Sequence, residues 1–272
     1  MGTRLLLCLG CLLLTLSSVA AQDNHWITID DGMSYAKFRA PATAYSTDST
    51  ITVIRIDPKL YALKLLTVSE LGGENRTVRQ WVKEQGLIAA INAGMYLTDY
   101  TTSCGYMKNH THFNNRRFNK TYHSFVAFNP VKRETVPFRI FDNDIVPADS
   151  IVNGYNTVIQ NLRLVKRPGV NRWEQREKRW SEAALGEDHS GNILLIFSRI
   201  PMTMHDFNNL VLSLPIGLQC AQHLEGGPPA SLYLHHNGVE IARTGIYGAD
   251  CSSENSDSLF DPLPNVIGVV KR

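Results

Sequence analysis

Glu225 follows an apolar run and stands directly before Gly226, Gly227, Pro228 and Pro229, so one carboxylate sits where the chain must turn sharply. Glycine reaches backbone conformations that side chains forbid and proline cannot continue a helix. Such a turn aims the acid at whatever lies above it. Asn92, Ala93 and Gly94 form a related element: an amide that donates and accepts hydrogen bonds, then residues small enough to let backbone approach a ligand. Gln160, Arg199 and His205 add polar groups at or near the ends of apolar runs. A carboxylate, two amides and two basic side chains suit acid-base or nucleophilic chemistry on a polar, anion-bearing molecule. Plainer roles fit the same residues: Asn92 tying down a turn, Gln160 satisfying nearby backbone, Arg199 pairing with Asp206, and His205 starting a helix. No Gly-rich phosphate loop, Ser-His-Asp signature or Cys/His cluster competes in the sequence. His110 and His112 have no acid or cysteine at ligand spacing, so neither a metal nor another cofactor is expected.

Positioning these groups requires a scaffold of short strands. Residues 50–56 and 60–68, β-branched and apolar around Asp57 and Pro58, predict a hairpin. Residues 77–85 have helical spacing, with Val78, Trp81 and Val82 on one face, Thr77 as cap and Gly86 as stop. Residues 87–91 are wholly apolar, a strand buried on both faces that delivers Asn92. Residues 98–122 carry Lys108, His110, His112, Arg116, Arg117 and Lys120 without hydrophobic period. A loop of that length in a compact domain is functional or disordered, and its charge suits a phosphate-bearing ligand.

Further strands are predicted over 124–128, 136–141, 155–164, 193–198, 231–235, 239–242 and 266–270, with Asn237-Gly238 as a hairpin signal. The small residues of 180–186 imply tight packing. Residues 166–179 read as a charged surface excursion and 247–261 as a polar loop. Two more helices are expected, over 206–213 with Asp206 as cap and over 216–224, ending at Glu225. Many strands that do not alternate with the few helices predict an α+β single domain with a mostly β mixed-sheet core.

The first 21 residues have the form of a secretory signal: Arg4, an apolar run over 5–16, and Ser18-Val19-Ala20-Ala21 as a small-residue cleavage site. The run is too short to span a membrane. A secreted or periplasmic protein is expected, with residues 22–272 as its mature domain. A hydrophobic content of 43% can fill a sizeable core. With 27 Lys and Arg against 25 Asp and Glu, the chain is not a dedicated nucleic-acid binder. Cys104 and Cys251 fall in polar stretches and Cys220 in an apolar one, so any disulfide is expected between the first two, leaving Cys220 buried and free.

Taken together, residues 89–96, Gly105-Tyr106-Met107-Lys108, residues 155–161, residues 180–186, Phe197-Ser198-Arg199 and Leu224-Glu225-Gly226-Gly227 resemble the phosphodiester glycosidase family, over most of the chain from about residue 50. The likeness is to a bacterial branch with secreted members. It implies hydrolysis of a sugar-1-phosphodiester or related glycan linkage, with a carbohydrate or sugar-phosphate as partner. Glycosidic cleavage passes through a cation-like sugar, usually between two carboxyl groups. A phosphate monoester already leaves as a stable anion. On this resemblance Glu225 is the nucleophile or base, Glu182 the second carboxylate, and Arg199 and His205 the phosphate-side groups. Asn92 and Gln160 bind sugar hydroxyls, with Gly94, Gly226 and Gly227 lining the site. The chain departs from the better-studied branch in having Glu225 where aspartate is usual, Pro228-Pro229-Ala230 after the glycines, and Glu182 where an arginine is usual. These departures put the substrate in question.

Two other classes fit the same residues. One is a secreted carbohydrate-binding protein without catalysis, its Tyr96, Tyr100, Tyr106, Trp173 and Trp180 stacking on sugars; the other is a phosphodiesterase cleaving the P–O bond. Under the glycosidase reading the named polar groups converge on one concave surface.

Overall fold

The computed structural model describes residues 26–40, 50–246 and 260–272. Three sheets are present, and every strand pairing in them is antiparallel rather than mixed as expected. The first runs β1 (Ile27–Asp30), β2 (Met33–Arg39), β3 (Thr50–Ile56), β14 (Ile193–Met202), β13 (Trp180–Asp188), β15 (Leu218–Gly226), β11 (Arg163–Lys166), β12 (Val170–Asn171). The second runs β7 (His112–Asn115), β6 (Met107–Asn109), β10 (Tyr155–Asn161), β8 (Ser124–Pro130), β9 (Phe138–Asp142). The third runs β17 (Val239–Thr244), β16 (Ser231–His236), β5 (Ala89–Asn92), β18 (Asn265–Lys271), β4 (Tyr61–Thr67). Helices α1 (Val68–Leu71), α2 (Val78–Glu84), α3 (Ala148–Gly154) and α4 (Met204–Ser213) flank them. The molecule is thus α+β with a mostly β core in a single domain.

Successive side chains of a strand point to opposite faces, and β14 shows the consequence. Ile193, Leu195 and Phe197 enter a central core shared by all three sheets, while Leu194 and Ile196 enter a second core closed by Phe207 and Val211 of α4. Each such buried side chain stabilises the fold by about 1.5–3 kcal/mol. The helix expected at 77–85 is α2, with Thr77 and Gln80 forming a reciprocal capping box and Trp81 fully buried. Asn237 and Gly238 take the positive φ values, 48° and 77°, that a tight hairpin turn requires.

Several expectations are corrected. Strands β3 and β4 form no hairpin: β3 pairs with β2 and β14, and β4 with β18. Ile54 and Ile56 share the central core with Leu63 and Leu65, and the two strands belong to different sheets. The segment 98–122 is not all loop but contains β6 and β7, and 166–179 contains β12. Helix α4 is capped by Thr203, whose hydroxyl accepts from the Asp206 N–H at 3.1 Å. The helix expected over 216–224 is strand β15. The strands β1 and β2 and the helix α3 were not anticipated. Cys220 is buried and free, though on a strand. The expected leader over 1–21, residues 247–259 and the Cys251 half of the expected disulfide lie outside the described residues. No described helix is long and apolar enough to cross a membrane.

Candidate active site

Glu225 stands near the end of β15, a strand held between β13 and β11. Short apolar runs read alike as helix or strand until their partners are known. Cys220 and Leu224 point into the central core and Ala221 into the second, an alternation that leaves His223 on the side of Ala221. The register with β13 then slips, because Ala184 pairs with His223 whereas Ala183 pairs with Glu225. One extra residue in β15 bends the strand locally and re-aims the side chains beyond it. His223 and Glu225 both line one pocket of about 270 Å³, just below the roughly 300–1,000 Å³ range of small-molecule sites.

The pocket walls are largely aromatic and aliphatic: Trp173, Trp180, Met95, Leu162 and Met204, with Lys178 as a cation on the rim. Gly226 has a specific steric role, since a Cβ there would lie 2.3 Å from Trp180 Cδ1. Without that side chain the indole packs directly against the strand. Trp180 Nε1 donates to Glu182 Oε2 at 2.9 Å, and Glu182 Oε1 lies 2.5 Å from His223 Nδ1. A carboxylate on one ring nitrogen fixes both tautomer and orientation of an imidazole.

Burial pushes the Glu225 carboxyl up to about 7, against the opposing pull of His223 and the Gly226 N–H, with the Glu182 charge adding to the rise. Burial disfavours a charged His223, but Glu182, by charge and hydrogen bond, and Glu225 together hold the ring above its ordinary value. A carboxyl titrating near neutrality beside a buried imidazole–carboxylate pair can give or take a proton at neutral pH.

The expected residues do not all reach this pocket. Glu225 and Gly226 line it, and Glu182 stands behind His223. Gly227 adopts φ 74° in the following turn, its N–H donating to Ser181 O at 3.0 Å. Asn92 shapes that turn from beneath: its Nδ2 donates to Pro229 O at 2.9 Å and its Oδ1 accepts from Ser231 N–H at 2.7 Å. At Gly94 the chain runs close to Asn161, whose Nδ2 would be 3.3 Å from an added Cβ. Gln160 is fully engaged by backbone, donating to Asn119 O and Tyr122 O and accepting from the N–H groups of Tyr106 and Asn119. Arg199 is buried in β14, its carbonyl accepting from Ser181 Oγ at 2.6 Å, and it does not line the pocket. His205 is also outside the lining; its ring contacts Trp173 O and the Asn209 amide.

Two basic lining residues escape a reading of the sequence. His223 is hidden by the helical interpretation, since period-2 alternation with Glu225 is the signal that joins them. Lys178 lies in the stretch expected to be a surface excursion and sits 5.5 Å from the Trp180 ring centroid.

A family model for phosphodiester glycosidases matches residues 85–270, which include β5, the pocket strands β13 and β15, and Glu225. Among solved structures, the chain resembles the zebrafish N-acetylglucosamine-1-phosphodiester alpha-N-acetylglucosaminidase catalytic domain, auto-inhibited by its pro-peptide, with a TM-score of 0.60 and 14% identity over 89% of this chain and 84% of that one. It also resembles a hypothetical protein from Synechocystis, with a TM-score of 0.59 and 13% identity over 91% of this chain. The match spans 63% of that protein's length. These likenesses establish a shared fold. No curated protein matches the chain. Because the family match extends over most of the sequence and takes in the pocket, the chain belongs to the phosphodiester glycosidase family.

Proposed function

We propose that the protein is a secreted glycosidase that hydrolyses a sugar-1-phosphodiester linkage. The observation that carries the reading is Glu225, a carboxyl near the end of β15 in a tryptophan-lined pocket beside the Glu182–His223 pair. Membership of a phosphodiester glycosidase family supports hydrolysis of this linkage class.

In its ionised form Glu225 takes the proton of an attacking water or attacks the anomeric carbon itself. The departing phosphate monoester leaves as an anion and needs charge stabilisation more than protonation. Glu182 holds Nδ1 of His223, so Nε2 is the ring nitrogen available to a phosphate oxygen, and Lys178 on the rim adds a second cation. Trp173 and Trp180 give the sugar ring its apolar walls. Glu182 acts as a positioning residue through His223, and Asn92 acts through the Pro229 turn. Gln160, Arg199 and His205 have supporting positions outside the pocket lining.

Hydrolysis of a sugar-1-phosphodiester in oxygen-18 water tests the reading. Label is expected in the sugar; label in the phosphate would make the protein a P–O phosphodiesterase, and binding without turnover would make it a carbohydrate-binding protein. Export belongs to the same proposal and is supported by Arg4, the apolar run over 5–16 and the small residues 18–21. Amino-terminal sequencing of the mature protein is expected to begin at Gln22.

A further inference from the structure

The segment from Tyr96 to Tyr122 displays aromatic and cationic side chains on a well-tied framework. Among the described residues, eight large apolar side chains are exposed, and three of them, Leu97, Tyr100 and Phe118, fall in this one segment. Phe118 is stacked on Tyr106, with ring centroids 4.6 Å apart and 17° between planes, and Tyr100 lies 6.0 Å from Tyr96. The Arg116 guanidinium lies 3.6 Å over the Phe113 ring, and Arg117 and Lys120 of the same segment are exposed. The one acid of the segment, Asp99, is engaged by the Thr101 and Thr102 N–H groups and the Thr102 hydroxyl.

Internal bonds hold this surface in shape. Gln160 clamps Asn119 and Tyr122 from below, while Asn114 accepts from the Ser103 N–H and donates to Thr101 O. Continuity with the pocket comes through Met95, which lines it and whose carbonyl accepts from the Cys104 N–H at 2.8 Å.

We infer that this surface is an extended subsite for an anionic glycan chain, whose terminal sugar enters the pocket. The inference rests on the glycosidase reading of the same site and deepens it. A pocket of about 270 Å³ takes a ring-sized group, so the rest of a larger substrate must cross the rim that Met95 begins. Flat aromatic faces suit the apolar faces of sugar rings, and spaced Arg and Lys groups suit a regularly repeated negative charge. An anionic membrane shares the charge complementarity, but side chains packed against one another, as Phe118 is against Tyr106 and Phe125, are not free to insert among lipids.

The test compares the full chain with a Tyr100→Ala, Arg116→Glu, Arg117→Glu variant, all at exposed positions, after circular dichroism has verified the fold of each. Affinity electrophoresis is run in gels containing a polymer of phosphate-linked sugars, a polyuronate or a neutral glucan, and phosphatidylglycerol vesicles are tested by flotation. Binding to the phosphate-linked polymer, the polyuronate or both, above that to neutral glucan, is expected. The variant should weaken it by about tenfold or more, while hydrolysis of a short sugar-1-phosphodiester stays within about twofold. The two anionic polymers tell which anion the chain carries. Equal retention by neutral glucan, an unchanged variant, an equal loss on the short substrate, or dependence seen only with vesicles would overturn the inference. Failure of the wild-type protein to cleave any short phosphodiester would defeat the catalytic reading alone, because polymer binding by wild type and variant still decides this one.

Discussion

His223 Nδ1 lies 2.5 Å from Glu182 Oε1, and each side chain is only 3% exposed. The partners are 41 residues apart in sequence and meet because β13 and β15 run antiparallel beside one another. Removing one member of a buried charged pair leaves the other uncompensated, at a cost of about 3–5 kcal/mol. Glu182→Gln should therefore destabilise the fold even though it preserves shape. His223 titrates above its ordinary 6.5 in the folded protein, so the pair's contribution is fully present below 6.5 and is lost as pH rises through the raised value. Denaturant titrations across this range should show the variant's deficit largest in acid and smaller in mildly alkaline solution.

Glu225→Gln keeps size and removes charge. Turnover should fall by roughly a hundredfold or more, the lower end of what acid-base help is worth. The carboxyl is raised from 4.5 to about 7, so the fold favours its protonated form, with stability present below 4.5 and lost as pH rises through about 7. Above that pH the variant should be more stable than the parent, by on the order of 1–3 kcal/mol. Parallel thermal melts and initial rates check both halves.

The pH dependence of kcat/KM should be bell-shaped. A base at Glu225 must be ionised, which places the rising limb near 7, and a charged His223, held above its ordinary value, must survive for the phosphate side, which gives the falling limb. The two groups interact, so the limbs report the pair rather than either residue alone. A rate profile over the neutral range, repeated with Glu225→Gln, should lose the rising limb together with most of the activity.

Gln160→Leu should loosen the segment between Tyr106 and Tyr122. Its amide makes four bonds to backbone, and each buried group left unpaired costs about 1–3 kcal/mol. Faster amide exchange at Tyr106 and Asn119 is the expected signature. The loss should appear in stability before it appears in the chemical step.

Gly226→Ala should reduce activity through Trp180. The added methyl would sit 2.3 Å from Cδ1 of the indole, so the ring must move and its bond to Glu182 Oε2 must lengthen or break. A shifted tryptophan emission maximum together with lowered kcat/KM is expected, in a protein that still folds.

Local signals in the sequence carried the elements whose determinants are local. Thr77 and Gln80 cap α2 within one turn of chain, Asn237-Gly238 supplies the backbone its hairpin needs, and the unbroken apolar run before Asn92 marks a central strand. Glu225 and its glycines were legible for the same reason, since a turn is written in adjacent residues. Pairing between distant segments is not written there. Residues 216–224 offered apolar spacing compatible with helix, and only the edges of β13 and β11, which need hydrogen-bonded partners, made them a strand. That pairing placed His223 and Glu225 at one pocket and brought Glu182 against His223. The separate pairing of β10 with β8 and β6 sets Gln160 in another sheet, where its buried amide is held by backbone N–H and C=O groups. The acid, the turn and the strand-rich composition are written in adjacent residues; which polar groups face the pocket depends on antiparallel pairing between distant strands, because register fixes the face each side chain takes.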